Sequence, residues 1–164
     1  MGTVKGFTLI EILVVLVIIG ITLALASVNF SSDDRQLLRS EGERLAVLLQ
    51  QAQDEAMLTG KTLAWSRTAS GYQFQVLDAE DNWLPLQSDA AFRERAWAPA
   101  VVLLEVAVDQ TPLKAEEHIV FGPGGINPPF TALLGLGKQR IVVTGDALGR
   151  VSIGNESSVA GGQG

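Results

Sequence analysis

Residues 7–28 form a long apolar run in which Glu11 is the one ionisable side chain. As an α-helix, about twenty such residues span about 30 Å, the hydrocarbon thickness of a bilayer. Lys5 stands just before the run, which favours a cytoplasmic N-terminus with the remainder outside. A charge at bilayer depth costs roughly 2.5–3.5 kcal/mol on insertion scales. A segment serving only as an anchor would not carry Glu11, so a partner for this carboxylate is expected inside the membrane. Two plainer readings compete with this one. The run can be an uncleaved single-pass anchor, or a secretory signal peptide cut near Ala24-Leu25-Ala26. The second fits poorly, because the run exceeds the roughly 7–15 residues of a signal-peptide core and Glu11 interrupts its start.

The rest of the chain reads as one modest soluble domain with attachments. Hydrophobic residues make up 47% of the chain and are densest in the N-terminal run. The net charge is −6 and no stretch of sequence collects Lys and Arg, so the basic stripe of a nucleic-acid binder is missing. With no cysteine in the chain, disulfides and thiolate metal sites are excluded.

Beyond the run the helix is expected to continue; residues 29–34 are polar, and Ser32 or Asp33 is alternatively placed to cap a fresh helical start. Leu38, Leu45, Leu49, Ala52 and Ala56 then recur at helical spacing, a narrow apolar stripe on an amphipathic helix. Arg39 and Glu43 can pair across one turn. Gly42 interrupts this helix at a cost of about 1 kcal/mol relative to alanine, so a kink is expected there, and Gly60 is its expected stop. From residue 61 onward the pattern turns strand-like. Residues 63–66 and 72–76 read as a hairpin with its turn at 69–71. Strands are also expected over 101–108, 119–121, 130–136, 140–144 and 150–153, with a turn over 145–149. The pattern predicts an α+β fold in which a long N-terminal helix packs on an antiparallel β-sandwich or curled sheet. The domain expectation is a leader over 1–6, a transmembrane helix over 7–28, and an amphipathic helix over 29–60. A β-domain over 61–153 and a flexible tail over 154–164 complete it.

No catalytic, cofactor or metal site is expected. His118 is the single histidine, so no histidine cluster can form, and its ordinary role is a polar residue entering a strand beside Glu116 and Glu117. The stretch Gly135-Leu136-Gly137-Lys138 fails as a phosphate loop, because Gln139 and Ala132 stand where a hydroxyl residue and the first glycine belong. Asp78, Glu80, Asp81 and Asn82 gather oxygen ligands that calcium can use, but a solvated hairpin turn explains them equally. Trp83, Phe92 and Trp97 read as core or loop-anchoring aromatics. Phe121, Gly122, Pro123, Gly124 and Gly125 open a stiffened loop that reads as a structural turn and as a candidate docking surface.

A polar leader ending in Gly6, then Phe7-Thr8-Leu9-Ile10-Glu11, resembles the class III signal of type IV pilins and type II secretion pseudopilins. The later features Phe121-Gly122-Pro123-Gly124-Gly125, Arg140-Ile141-Val142-Val143 and Gly149-Arg150-Val151 are similar to the H-type minor pseudopilin group (GspH) and its pilus relatives FimT and FimU. The resemblance implies that a prepilin peptidase cuts after Gly6 and methylates Phe7. It implies that Glu11 pairs with the Phe7 ammonium of a neighbouring subunit in a filament. The implied setting is the inner membrane, with the C-terminal domain in the periplasm. The implied partners are the major pseudopilin, other minor pseudopilins and the inner-membrane assembly platform, with secreted exoproteins as candidates and no nucleic acid. The implied function is to help drive folded exoproteins through an outer-membrane secretin from a place near the pseudopilus tip. The alternatives are a minor pilin of a type IV pilus, serving priming, adhesion or DNA uptake, and a membrane-tethered β-domain that never polymerises.

Overall fold

The computed structural model describes residues 8–86 and 90–155. The expected leader with Gly6, the new N-terminal Phe7, and most of the expected tail lie outside the described residues.

Helix α1 runs from Leu9 to Thr59. Thr8 caps it: the Thr8 hydroxyl accepts the Glu11 backbone N–H at 3.3 Å, satisfying one of the donors that a helix start leaves open. At the far end Gly60 adopts φ +70°, and its N–H donates to the Ala56 carbonyl, the left-handed stop expected of glycine. The alternative fresh start at Ser32 or Asp33 does not occur, since α1 passes through residues 29–34 unbroken. That stretch contains no proline or glycine, so its polar residues lower helix propensity without removing a backbone hydrogen bond. Gly42 does not interrupt the helix either. A Cβ at this position would lie 2.8 Å from Ile153 Cδ1 and 3.3 Å from Ile141 Cγ2. The glycine therefore lets the helix approach the sheet closely.

Ten strands follow among the described residues. β1 (Leu63–Arg67) and β2 (Gly71–Leu77) form the expected hairpin, with Trp65 opposite Phe74. The first sheet has the order β3-β2-β1-β7, using β3 (Trp83–Pro85) and β7 (Ile119–Phe121), and β4 (Arg95–Ala96) also pairs with β2. The second sheet has the order β10-β9-β8-β5-β6. Its members are β5 (Val102–Val108), β6 (Thr111–Pro112), β8 (Phe130–Leu136), β9 (Gln139–Gly145) and β10 (Val151–Gly154). All these pairings are antiparallel. Both sheets share one core with α1.

Every member of the predicted helical stripe is buried: Leu38, Leu45, Leu49, Ala52 and Ala56. They meet Leu63, Trp65, Ile119 and Phe121 from the first sheet, and Phe130, Ala132, Leu134 and Val143 from the second. Fully burying one leucine contributes about 1.5–3 kcal/mol, so this stripe holds the helix to the β-domain. The alternation of Phe130, Ala132 and Leu134 inward with half-buried Thr131 and Leu133 is the period-two signature of a sheet with one covered face.

Residues 90–101 form a strap across the helix. Phe92 is buried against Phe74 at 5.1 Å, and Trp97 stacks obliquely on Tyr72 at 4.7 Å, so these two aromatics are anchors as expected. A polar latch holds the same segment. Buried Glu41 pairs with Arg44 at 2.6 Å and accepts the Ala98 N–H at 3.5 Å. Arg44 also donates to the Ala96 carbonyl at 3.5 Å. Burial pushes the neighbouring Tyr72 phenol above its ordinary pKa, which keeps it neutral.

Candidate assembly surfaces

The amino-terminal part of α1 stands clear of the β-domain. Leu9, Ile10, Leu16 and Leu23 are 84%, 71%, 63% and 66% exposed, and the apolar residues between them are exposed as well. Glu11 lies in the first turn of this arm and is exposed. Among the described residues it has no ion-pair partner. Among those residues, too, no helix is long and apolar enough to cross a membrane, and the run over 7–28 is described only in part. Among the described residues, the β-domain supplies this arm with neither an apolar cover nor a cation.

The loop that joins β7 to β8 is built differently. Phe121 is 2% exposed and meets Phe130 edge-to-face at 6.2 Å, so its side chain anchors the loop from below and offers no docking surface. The remaining members of the expected site, Gly122, Pro123, Gly124 and Gly125, lie half-buried or exposed. The loop is pinned by Asn127, whose Oδ1 accepts the Gly122 N–H at 2.8 Å. Asn127 Nδ2 donates to Oε1 of Gln53 on α1, and the Asn127 backbone N–H reaches the Ala147 carbonyl at 3.4 Å. Gln53 is 1% exposed and is not visible in the apolar pattern, although it falls one turn after Leu49, within the buried stripe. On the outside of this pinned loop Ile126 is 77% exposed, and Leu148 of the adjoining β9–β10 turn is 69% exposed.

The residues with potential chemistry have structural roles. His118 sits edge-on to Trp83 at 5.3 Å. Asp78 organises the β2–β3 turn, its Oδ1 accepting the N–H groups of Asn82 at 2.7 Å and Glu80 at 3.0 Å. The Asn82 N–H leads in holding the Asp78 carboxyl below the usual carboxylate range. Asp146 does the same in the β9–β10 turn through the N–H groups of Arg150 and Leu148, both at 2.9 Å, and the Arg150 N–H leads in lowering its pKa. Residues 135–138 are a hairpin end, with Gly137 at φ +56°. Among the described residues no three histidine, aspartate or glutamate side chains gather as a metal site.

The family described as Type II transport protein GspH matches residues 41–149, and the prokaryotic N-terminal methylation motif matches residues 1–27. The chain belongs to the GspH family. It is 41% identical over 97 residues to the type II secretion system protein H of Pseudomonas aeruginosa. That alignment covers 57% of this chain and 55% of the relative, so the chain is matched along just over half of that protein's length. Among solved structures, the minor pseudopilin EpsH from the type II secretion system of Vibrio cholerae superposes with a TM-score of 0.63 at 14% identity, covering 74% of this chain and 97% of that one. The type IV minor pilin FimU of P. aeruginosa gives a TM-score of 0.56 at 21% identity, covering 75% and 92%. The pilin-like fold is thus shared by family members and a pilus protein alike, and the expected helix-on-sheet architecture is the observed one.

Proposed function

We propose that this chain is a minor pseudopilin of a type II secretion system. It is made as an inner-membrane precursor, cut between Gly6 and Phe7 and methylated on Phe7. Residues 7–28 hold it in the bilayer, and the β-domain stands in the periplasm. In the assembled pseudopilus, near its tip, the Glu11 carboxylate accepts the Phe7 ammonium of the adjacent subunit. The buried pair fixes axial register, because leaving one partner alone costs about 3–5 kcal/mol. Other minor pseudopilins, the major pseudopilin and the assembly platform are the partners. The growing assembly drives folded exoproteins through the secretin, and the chain acts as an assembly subunit with no reaction of its own.

The observation that carries this reading is the bare arm of α1: an exposed apolar helix whose one acid, Glu11, finds no cation among the described residues of its own chain. The methylation motif over residues 1–27 supplies the chemistry that would create that cation next door. The relative named for the secretion system favours this reading over a pilus. The acidic net charge of −6 stands against a DNA-capturing minor pilin, since phosphate neutralisation supplies most non-specific affinity. Mass spectrometry of the mature N-terminus tests it. The expected product begins with N-methylated Phe7; an intact Met1, or a start at Ser27, contradicts it.

A further inference from the structure

Although no stretch of sequence is basic, the fold gathers four of the chain's twelve Lys and Arg residues around one open cavity of about 600 Å³. These are Arg35 and Arg39 from α1, Lys138 from the β8–β9 turn, and Arg140 at the start of β9. Leu38 and Ile141 form apolar walls, and among the described residues no aspartate or glutamate lines the cavity. Arg35 and Lys138 are exposed. Arg39 uses its Nε on Glu43 at 2.7 Å, which leaves its terminal N–H groups available. Arg140 is held in place by donating Nη1 to the Gly137 and Gln139 carbonyls, each at 2.8 Å. Asp33 and Asp34 precede the cavity on α1.

The position of this cluster along α1 decides what it faces. Arg35 lies seven residues past the end of the apolar run, about 10 Å along the helix axis. Helical side chains lean toward the N-terminus, so those of Arg35 and Arg39 reach back toward the bilayer. The β8–β9 turn stands beside them, at the end of the domain opposite the Asn127 loop and Gln53. Headgroups add about 5–7 Å to each side of the hydrocarbon, and the Debye length is about 8 Å at physiological salt. The four cations therefore sit within electrostatic reach of the headgroups.

We infer that the cavity formed by Arg35, Arg39, Lys138 and Arg140 binds the phosphate of an anionic phospholipid headgroup and seats the β-domain on the membrane surface before assembly. Arginine forks match phosphate oxygens in two-point contacts, and lysine adds a point charge. The inference rests on the membrane-anchored reading above.

The test uses the full chain reconstituted in phosphatidylcholine bilayers, with spin-labelled phosphatidylglycerol and spin-labelled phosphatidylcholine compared as probes. A basic residue near an anionic surface contributes about fivefold in affinity, so an anionic preference of at least about fivefold is expected at low salt. It should shrink as salt rises. Arg35→Gln with Lys138→Gln, both exposed positions, should reduce the preference several-fold, whereas Arg35→Lys should largely keep it. No headgroup preference in the unmodified chain, or a preference undiminished in the double variant, overturns the inference. Inorganic phosphate at matched ionic strength forms a second arm. Binding of free phosphate without any lipid preference assigns the cavity to a soluble anion and also overturns it. Flotation with neutral vesicles separates the two readings. A chain that fails to float removes the membrane reading itself, and one that floats without discriminating headgroups removes this inference alone.

Discussion

The two ends of α1 are one helix by backbone and two different objects by environment. From Leu9 to Leu23 its apolar side chains are exposed, and its single acid is unpaired among the described residues. From Leu38 to Ala56 one stripe is fully buried, and even its polar members are held, Glu41 by Arg44 and Gln53 by Asn127. The carboxyl-terminal half completes itself inside the chain. The amino-terminal half finds no such cover among the described residues, and in the proposed assembly lipid and a second subunit supply it, so substitutions in the two halves should be read out in different assays.

The largest effect comes from the buried half. Leu49→Ala, at a residue with 0% exposure, should cost about 2–5 kcal/mol in urea unfolding of the domain, while Leu16→Ala, at 63% exposure, should leave that midpoint unmoved. Equal losses from both would break the contrast. The two glycines of α1 sharpen it next. Gly42→Val forces a branched side chain against Ile153 and Ile141 and should destabilise by about 1–3 kcal/mol. Gly20 has nothing within 4 Å of its missing Cβ, so Gly20→Ala should be neutral for domain stability. Asn127→Ala should cost about 1–3 kcal/mol by stranding the Gly122 N–H and Gln53, with faster amide exchange over residues 122–127 as the local readout.

The smallest effect is a pH dependence confined to the β-domain turns. Backbone N–H groups hold the carboxyls of Asp78 and Asp146 below the ordinary carboxylate range. Their contribution is complete above the unfolded carboxylate pKa, near pH 4, and is lost as pH falls through the lower folded value. Asp146→Asn should therefore flatten the acid limb of the stability profile below about pH 4, and leave its slope unchanged at neutral pH. A slope change near pH 7 would contradict this assignment.

Much of this division is legible in the sequence because it is written in periodicity. The stripe of Leu38, Leu45 and Leu49 and the strands at 119–121 and 130–136 need only local pattern to be seen. The features hidden from sequence are assembled from distant pieces. The two- and three-residue strands at Arg95–Ala96, Thr111–Pro112 and Trp83–Pro85 are pairings created by where the chain is carried, with too few residues to show alternation. Glu41 and Gln53 are polar, so an apolar pattern passes over them, and only the strap and the Asn127 loop account for their burial. The cluster of Arg35, Arg39, Lys138 and Arg140 is invisible in one dimension, because its halves lie on α1 and on the β8–β9 hairpin, far apart along the chain. Glu11 is legible for the opposite reason, as a lone acid in an apolar run needs no tertiary contact to be noticed.

In the proposed pseudopilus, assembly depends most on that acid meeting the amine of the next subunit. Cross-linking of Glu11→Ala to neighbouring pseudopilins in the membrane measures it directly. The substitution should leave membrane insertion and the urea midpoint of the β-domain unchanged while reducing the cross-linked yield at least about tenfold, the effect of about 1.4 kcal/mol and less than the cost of stranding a buried charge. Cross-linking at the unsubstituted level would show that Glu11 pairs with nothing.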